Sequence, residues 1–263
     1  MSGPPTLFAT IIDHPRRNEF DLSSLRVGFL AATTIPERLV TRLHDELNIE
    51  LLMTGYGLTE NHATGAFTRP GTPLKLVSTT VGQLWPGVEA RIVDDYDQEV
   101  PTGEPGEILL SGYALMSGYY DDQAATDAVL KDGWLHTGDI GSIDAEGYLR
   151  ILDRKKDMYI VGGFNVAPAE VEETLLGLPC IAQVAVIGVP DERLGEVGAA
   201  YIVLREKTEC DEAQVIGFAR ESLANFKVPR HVRFVPTLPM NSTGKVSKVE
   251  LRAEFTAEVQ ARR

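Results

Sequence analysis

Residues 25–60 read LRVGFLAATTIPERLVTRLHDELNIELLMTGYGLTE and contain a complete strand–helix–strand pattern. Leu25–Leu30 is a short, largely apolar run typical of a buried strand, and Glu50–Met53 reads as the next strand. Between them, Pro36 stands at a predicted helix start, and leucine and valine recur at helical spacing up to Leu47. Two strands and a helix within about thirty residues predict a parallel βαβ unit.

The residues after the second strand occupy the position where a parallel sheet binds ligands, beside the carboxyl ends of its strands. Tyr56 can stack on a purine base, Thr59 can donate a hydrogen bond to a phosphate, and Glu60 is a hard oxygen ligand suited to magnesium. Gly55 and Gly57 permit tight turning, but Glu60 takes the third glycine position of a dinucleotide motif, which excludes that motif. Taken singly, Tyr56 is more often a core residue and Glu60 a solvated surface residue.

Composition restricts the class of protein. The chain has 263 residues, a formal net charge of −13 and 43% hydrophobic residues, which is ordinary for one large or two modest globular domains. The negative charge argues against nucleic acid as a partner. Cys180 and Cys210 have no CxxC spacing, so we expect neither a disulfide framework nor a zinc site. With no secretory signal pattern and no transmembrane segment in the sequence, we expect a cytoplasmic protein.

The pattern changes twice along the chain. After Gly82, short strands separated by Gly, Pro and Asp turns predict a small β-barrel or meander, and after Asp153 helices and strands predict a compact α+β domain. The predicted strands are Val88–Val93, Gly106–Ser111, Gly147–Leu152, Ile181–Gly188, Ala199–Leu204 and His231–Val235, and the predicted helices are Ala167–Leu176, Cys210–Leu223 and one from Lys248 onward. We therefore predict an α/β plus α+β fold with three parts. Residues 1–81 are part of a parallel α/β sheet, and residues 82–152 form a β-barrel-like subdomain. Residues 153–263 form a mobile C-terminal α+β cap domain, with its hinge at Asp153–Lys156.

Further positions can contribute to a nucleotide site. Asp139 follows Gly138, which lacks side-chain bulk, and its carboxylate can accept hydrogen bonds from both ribose hydroxyls; an Asp-capped turn is the alternative. Arg154 can reach the same ribose or the phosphate, or form a surface ion pair with a neighbouring aspartate. Gly162 and Gly163 follow a predicted strand and allow either a close backbone approach to a ligand or a tight bend.

Lys245 ends the turn NSTGK near the C-terminus. A Walker A motif is excluded, because Pro239 and Val246 occupy positions that this motif reserves for glycine and for serine or threonine. On a polar turn, the lysine can deliver a positive charge to an α-phosphate and an attacking carboxylate. A solvated surface lysine is the alternative. His62 and His136 lack partners at ligand spacing, and we assign neither to metal or base chemistry.

Together these segments resemble the adenylate-forming (AMP-binding) superfamily of acyl-CoA synthetases, luciferases and peptide-synthetase adenylation domains. The similar motifs are Tyr56–Glu60 (Y-G-x-T-E), Gly106–Gly112 with Gly118-Tyr119, Thr137–Asp139 (T-G-D), the hinge Asp153–Asp157, and the terminal Asn241–Lys245. The stretches Trp134–His136 and Asn165–Pro168 look more like fatty-acyl or coumarate-type CoA ligases, and hence like enzymes of fatty acid and lipid metabolism.

The resemblance implies an AMP-forming carboxylic acid–CoA ligase that activates an apolar acid through an acyl-adenylate and then forms the thioester, with ATP, Mg²⁺ and coenzyme A as cofactors. Tyr56 would stack on adenine, Asp139 and Arg154 would bind the ribose, and Lys156 would be the pivot of the C-terminal domain. The implied catalytic residues are Thr59, Glu60 and Lys245; the implied nucleotide-binding residues are Gly55, Tyr56, Thr59, Asp139, Arg154, Lys156 and Lys245; Glu60 would bind magnesium, and Gly162 and Gly163 would line the coenzyme A route.

Three departures from the family pattern leave alternatives open. Ile160 stands where coumarate ligases carry a lysine, Thr54 stands where many members have an amide, and the Ser/Thr/Gly-rich phosphate loop does not occur in the sequence. We therefore expect a truncated form that lacks the N-terminal phosphate loop. The alternative is a non-catalytic nucleotide-binding fragment or partner subunit that self-associates or pairs with a complementary N-terminal half. The acyl pocket would be shaped partly by Ala31–Ile35 and Met53–Gly55, and a carrier-protein thiol can replace coenzyme A.

Overall fold

The computed structural model of the chain describes residues 1–31, 35–241 and 245–261. These residues form two compact units, Met1–Ile151 and Leu152–Arg263. The further division at residues 81 and 82, and the hinge at Asp153–Lys156, stay predictions. None of the helices formed by the described residues combines the length and apolar composition needed to cross a bilayer.

The first unit begins with a mixed sheet. Its strands and helices, in chain order, are β1 (Ser2–Gly3), α1 (Pro5–Asp13), β2 (Val27–Leu30), α2 (Glu37–Leu47), β3 (Leu51–Tyr56), β4 (Ala66–Phe67), α3 (Leu74–Thr79) and β5 (Gln83–Leu84). The strands lie in the order β1-β2-β3-β4-β5, parallel from β1 to β3 and antiparallel from β3 to β5. The predicted βαβ unit is confirmed as β2, α2 and β3.

The apolar stripe of α2 explains this arrangement. Leu39, Val40 and Leu43 are buried, and they belong to one apolar cluster with Leu30 of β2 and Leu52 of β3. Burying such side chains contributes roughly 1.5–3 kcal/mol each. Because side chains alternate along a strand, the residues of β3 on either side of Leu52 project from the opposite face of the sheet.

An antiparallel sheet follows, and the first unit ends within its last strand. It contains β6 (Val88–Val93), β7 (Gly106–Gly112), β8 (Leu130–Lys131), β9 (Trp134–Ile143) and β10 (Leu149–Arg154), with α4 (Gln123–Val129) before β8. The order is β10-β9-β7-β6, and β8 pairs with β9. This sheet agrees with the predicted meander, but β9, its longest strand, was not among the predicted strands. Asp139 lies within β9 and not in the Asp-capped turn that was the alternative for it. In addition, Asp153 and Arg154 lie in β10 and not in a connecting segment.

The second unit is an α+β domain, as predicted. It contains β11 (Tyr159–Val161), β12 (Phe164–Val166), α5 (Pro168–Leu176), β13 (Ile181–Asp191), β14 (Gly195–Leu204), α6 (Glu212–Ser222), β15 (His231–Phe234) and α7 (Lys248–Ala261). The strands lie in the order β12-β11-β14-β13, and β15 pairs in parallel with β14. The core contains Tyr159, Leu175 and Ile202. α6 begins with a reciprocal cap between Asp211 and Gln214, which satisfies backbone amides that the first turn leaves unpaired.

Candidate nucleotide site

Two of the predicted nucleotide-binding residues contact each other, although they lie 83 positions apart in sequence. The Tyr56 hydroxyl donates a hydrogen bond to Oδ2 of Asp139 at 2.6 Å. That distance is typical of a hydroxyl bonded to a charged carboxylate. Asp139 is only 5% exposed. Tyr56 is the last residue of β3 and not a loop residue, so its aromatic ring is positioned by the sheet.

A bulge in β9 presents Asp139. The register between β7 and β9 passes from the pair Leu109–His136 to the pair Glu107–Ile140, so that β9 has extra residues over Thr137–Asp139. A bulge re-aims the side chains of the strand that carries it and is common beside functional sites. The bulge also interrupts the alternation of the strand, which explains why periodicity does not reveal β9.

Three hydrogen bonds fix the bulge. Gly138 has φ +68°, which favours glycine, and its amide donates to Oε1 of Glu107 at 3.2 Å. The Thr137 hydroxyl donates to the Ile108 carbonyl at 2.7 Å and accepts the Asp139 amide at 3.1 Å. A Cβ atom added to Gly138 would meet nothing within 4 Å. The space on the Cβ side of Gly138 is therefore open.

Thr59 and Glu60 lie in a short 3-10 turn, Thr59–Asn61, that follows β3. Asn61, which the sequence analysis did not select, is 1% exposed and holds the turn. Its Oδ1 accepts the Leu58 amide at 2.7 Å, and its Nδ2 donates to the Thr64 carbonyl at 3.2 Å. Because Asn61 occupies the interior of the loop, Thr59 is exposed and Glu60 is half-buried at its surface.

The two glycines around Tyr56 are required by close packing. A Cβ atom on Gly57 would overlap the Ala63 backbone on the other side of the loop. A Cβ atom on Gly55 would overlap the Phe67 ring and lie 3.0 Å from Cζ of Phe29. The two rings pack across Gly55 with their centroids 5.8 Å apart. Gly55 thus serves strand packing, whereas Gly57 permits the close return of the loop.

Glu60 has a partner that the sequence analysis did not assign. The Tyr119 hydroxyl donates to Oε1 of Glu60 at 2.7 Å. This hydrogen bond is the main reason that the pKa of Tyr119 is raised above its ordinary value, with a smaller contribution from burial. The sequence does mark Tyr119, because the Gly118-Tyr119 pair belongs to one of the family motifs. No role was assigned to that pair.

In the second unit, two aspartates anchor the segment around the predicted pivot. Oδ2 of Asp153 accepts the Ala169 amide in the first turn of α5 at 2.8 Å, and Oδ1 of Asp157 accepts Nη2 of Arg252 from α7 at 3.2 Å. Lys156 lies in the turn between these anchors and is exposed. Arg154 is also exposed. Their roles at the ribose and as pivot stay predictions.

Gly162 and Gly163 form the two-residue turn between β11 and β12. Their φ values are +57° and +93°, which a tight hairpin turn of this kind requires. The Gly162 amide also donates to the Leu194 carbonyl at 2.8 Å. Of the two alternatives, the tight bend is observed, and the coenzyme A route stays a prediction. Ile160, one residue before the end of β11, is 52% exposed.

Lys245 closes the last polar turn and is exposed. The Asn241 amide donates to the Lys245 carbonyl at 2.8 Å, and the Lys245 amide donates to Oδ1 of Asn241 at 2.9 Å. Residues 242–244 of this turn lie outside the described residues, as do residues 32–34 of the predicted acyl pocket. Ile35, at the end of that predicted pocket, is 5% exposed and belongs to the core of the first unit.

The first unit thus contains Gly55, Tyr56, Thr59, Glu60 and Asp139, and the remaining predicted site residues lie in the second unit: Arg154, Lys156, Gly162, Gly163 and Lys245. Over residues 1–31, 35–241 and 245–261, the structure has no group of three or more His, Cys, Asp or Glu side chains arranged to hold a metal ion.

Comparison with known proteins agrees with these motifs. The AMP-binding enzyme family model matches residues 1–120, and the AMP-binding enzyme C-terminal domain model matches residues 170–245. A relative from Mycobacterium tuberculosis, 3-[(3aS,4S,7aS)-7a-methyl-1,5-dioxo-octahydro-1H-inden-4-yl]propanoyl:CoA ligase, is 53% identical over 253 residues, which are 96% of this chain and 48% of that protein. The chain therefore spans about half the length of the curated relatives that it matches.

Solved structures are similar over nearly the whole chain. The amide bond synthetase McbA from Marinactinospora thermotolerans is 34% identical with a TM-score of 0.88, over 97% of this chain and 51% of that one. The anthranilate CoA ligase AuaEII in complex with anthranoyl-AMP is 32% identical with a TM-score of 0.86, over 96% of this chain and 49% of that one. With its motifs, both family models and these relatives in agreement, the chain belongs to the AMP-binding enzymes, the adenylate-forming superfamily of the acyl-CoA synthetases.

Proposed function

We propose that the chain binds AMP and ATP and works in an AMP-forming carboxylic acid–CoA ligase. The observation that carries the proposal is the 2.6 Å hydrogen bond between Tyr56 and Asp139, because it brings an aromatic ring and a buried carboxylate together at the carboxyl end of β3, which pairs in parallel with β2. Binding of an adenine nucleoside needs this combination of a stacking surface and an acceptor pair.

In this proposal the Tyr56 ring stacks on adenine and the Asp139 carboxylate accepts the ribose hydroxyls. The carboxylate has about four lone-pair sites, and the hydrogen bond from Tyr56 occupies one of them. The open space beside Gly138 leaves room for the sugar. Thr59, exposed on its turn, donates to the α-phosphate.

Glu60 is suited to hold Mg²⁺ because it is a carboxylate at the surface of a fixed turn, and magnesium prefers oxygen ligands. When bound, the ion would supply positive charge to the phosphates. The Glu60 carboxylate accepts a hydrogen bond from the Tyr119 hydroxyl, and the Asn61 side chain holds the turn that carries Glu60 by accepting the Leu58 amide.

The second unit supplies the remaining groups in the proposed reaction. The substrate carboxylate attacks the α-phosphorus of ATP, pyrophosphate leaves, and Lys245 offsets the charge that develops. A thiol then attacks the acyl carbon and AMP leaves, with the Gly162–Gly163 hairpin beside the thiol route. Rotation about Lys156 would exchange the two sets of groups.

The acid that we propose is apolar and carries a ring, in line with the bicyclic propanoate named for the Mycobacterium tuberculosis relative. Coenzyme A is the proposed acceptor because that relative is a CoA ligase. A carrier-protein thiol stays an alternative, and the similarity to an amide bond synthetase adds an amine to the acceptors that an assay has to include.

A second candidate function is nucleotide binding without turnover, as a fragment or as a subunit that self-associates or pairs with a complementary half. The observation that favours it is the span of the chain, which matches only 48% of its relative from Mycobacterium tuberculosis. Both candidates share the AMP site, and they differ in whether the chain exchanges pyrophosphate into ATP.

Titration calorimetry with AMP in the absence of metal tests the shared site. We expect Asp139→Asn to weaken AMP binding about ten- to hundredfold, because it removes charge-assisted hydrogen bonds, whereas Asp132→Asn, in an exposed turn, leaves it unchanged. AMP binding that Asp139→Asn does not weaken contradicts the proposed site. Pyrophosphate exchange with ATP and a panel of ring-bearing acids then separates the candidates, since only the ligase supports it.

A further inference from the structure

We propose that Tyr119 is a positioning residue that orients the Glu60 carboxylate. The inference rests on the proposed function, because it assigns the oriented carboxylate to the magnesium ion that accompanies ATP. It adds a residue whose hydroxyl prepares the site and does not itself touch the nucleotide. The contacts that carry it lie entirely within the first unit.

Residues 114–119, here called the strap, are joined by three hydrogen bonds to Glu60 and to His62, which directly follows the Thr59–Asn61 turn. The Met116 amide donates to the Glu60 carbonyl at 2.7 Å, and Nδ1 of His62 donates to the Ala114 carbonyl at 2.8 Å. The third bond is the 2.7 Å contact from the Tyr119 hydroxyl to Oε1 of Glu60. Because the strap thus bonds both the backbone and the side chain of Glu60, Glu60 is held at two points.

The Tyr119 backbone is itself fixed by α4. Its amide donates to the Thr126 hydroxyl at 2.9 Å, and that hydroxyl donates to the Asp122 carbonyl at 2.9 Å. Thr126 is 6% exposed, so this relay is protected from water. The Asp122 carboxylate also caps α4 by accepting the Ala125 amide at 2.9 Å. The hydroxyl of Tyr119 is therefore presented to Glu60 from a rigid base.

A tyrosine hydroxyl is well suited to orient a metal-binding carboxylate. It occupies Oε1 and leaves Oε2 of Glu60 for the cation. Unlike lysine or arginine, a neutral donor does not cancel the charge that attracts the ion. Residues that hydrogen-bond a metal ligand typically change metal affinity 10–100-fold when they are removed.

The sequence contains a matched control. Tyr120 follows directly, and its side chain is 100% exposed, whereas Tyr119 is 38% exposed. Tyr119→Phe and Tyr120→Phe each remove one hydroxyl from adjacent positions of the same segment. They differ in that only the first breaks a hydrogen bond to Glu60.

The first experiment measures amide hydrogen exchange in the full chain without nucleotide. We expect the Met116 amide, which bonds the Glu60 carbonyl, to exchange about tenfold faster in Tyr119→Phe than in the wild type, and at the wild-type rate in Tyr120→Phe. Equal exchange rates in all three proteins overturn the inference, because they mean that the Tyr119 hydroxyl does not stabilise the Glu60 turn.

The second experiment measures the Mg²⁺ concentration that gives half-maximal ATP binding by titration calorimetry. We expect Tyr119→Phe to raise this concentration about tenfold, while AMP binding without metal changes less than about twofold. In a Glu60→Gln background the same substitution is expected to have no further effect, since it acts through the carboxylate. An unchanged Mg²⁺ requirement in Tyr119→Phe, with normal AMP binding, overturns the inference and leaves the proposed function standing.

The result that would contradict the proposed function differs from the result that would overturn the role of Tyr119. If the wild-type chain binds neither AMP nor ATP, the nucleotide site is wrong and so is the role of Glu60 toward magnesium. The exchange rate of the Met116 amide then still supports or overturns the orientation of Glu60 by Tyr119, because that measurement needs no nucleotide.

Discussion

Replacing Tyr56 by phenylalanine tests the contact on which the site is built. The substitution removes the hydroxyl that donates to Oδ2 of Asp139 and keeps the aromatic ring. The ring that would stack on adenine is thus preserved, and the carboxylate loses one hydrogen bond donor. We expect the first unit to lose stability, and AMP binding to weaken less than it does with alanine at the same position.

The magnitude follows from the geometry. At 2.6 Å the contact is in the range of a charge-assisted hydrogen bond, and the acceptor side chain is on a residue only 5% exposed. Removing a hydrogen bond to a charged group costs about 1.5–3 kcal/mol. For a domain of 150–250 residues, 1 kcal/mol corresponds to a change in Tm of about 2–4 °C. We therefore expect the Tm of the first unit to fall by about 3–12 °C.

Scanning calorimetry of the full chain measures this change directly. Tyr96→Phe is the matched control, since its side chain is 85% exposed, and we expect it to change stability by less than about 0.5 kcal/mol. If Tyr56→Phe unfolds within about 1 °C of the wild type, the bond to Asp139 contributes no net stability. The site would then not be preorganised by this pair.

Three further predictions concern other parts of the chain. Gly217→Ala in α6 is expected to raise the free energy of unfolding in urea by about 0.5–1 kcal/mol, because the added Cβ meets nothing within 4 Å; an unchanged or lower value would contradict this. Hydrogen bonds from Arg42 are the main cause that lowers the pKa of Glu46 from its ordinary 4.5 to about 2, so its contribution to stability is present above pH 4.5 and is lost as the pH falls toward 2. Glu46→Gln should flatten the acid unfolding curve followed by circular dichroism in that window, and a curve that keeps its slope would show that another group is responsible. Burial, followed by a hydrogen bond with Cys180, raises the pKa of Cys210 from 9.0 to about 11. At pH 8 the thiolate fraction is therefore smaller than in a model thiol, and the higher nucleophilicity of a thiolate of raised pKa offsets part of that loss. We expect iodoacetamide to alkylate Cys210 about tenfold more slowly than a model thiol, as measured by mass spectrometry of the peptides, and alkylation at the model rate would refute the raised pKa.

The elements that were predictable from the sequence are those with unbroken periodicity. The stripe of α2 and the apolar runs on either side of it gave β2, α2 and β3 in the right order, since local spacing is sufficient for a βαβ unit. β9 was missed for a physical reason: the bulge at Thr137–Asp139 inserts residues and a positive φ at Gly138 into the strand. The alternation of apolar and polar residues along β9 is interrupted at the bulge that carries Asp139.

The partners of the site residues were not predictable by spacing. The bond between Tyr56 and Asp139 depends on how two sheets of the first unit are arranged, and that arrangement has no local signature in the sequence. The same holds for Tyr119 and Glu60, which are 59 positions apart. The family resemblance assigned roles to Tyr56, Glu60 and Asp139 but gave no role to Tyr119. A motif identifies residue types and positions, and it does not state which of those residues contact each other.

The predicted site residues belong to both units. This is why AMP binding should be measured before pyrophosphate exchange. The hydrogen bonds from Tyr56 to Asp139 and from Tyr119 to Glu60 both lie within the first unit. The role that we propose for Lys245, in contrast, would require the second unit to bring an exposed turn to the nucleotide. Under the proposed function, base and ribose recognition would need only the first unit, whereas adenylation would need both units. A chain that binds AMP but does not exchange pyrophosphate would locate the defect in that movement or in the phosphate loop, and not in the nucleotide site.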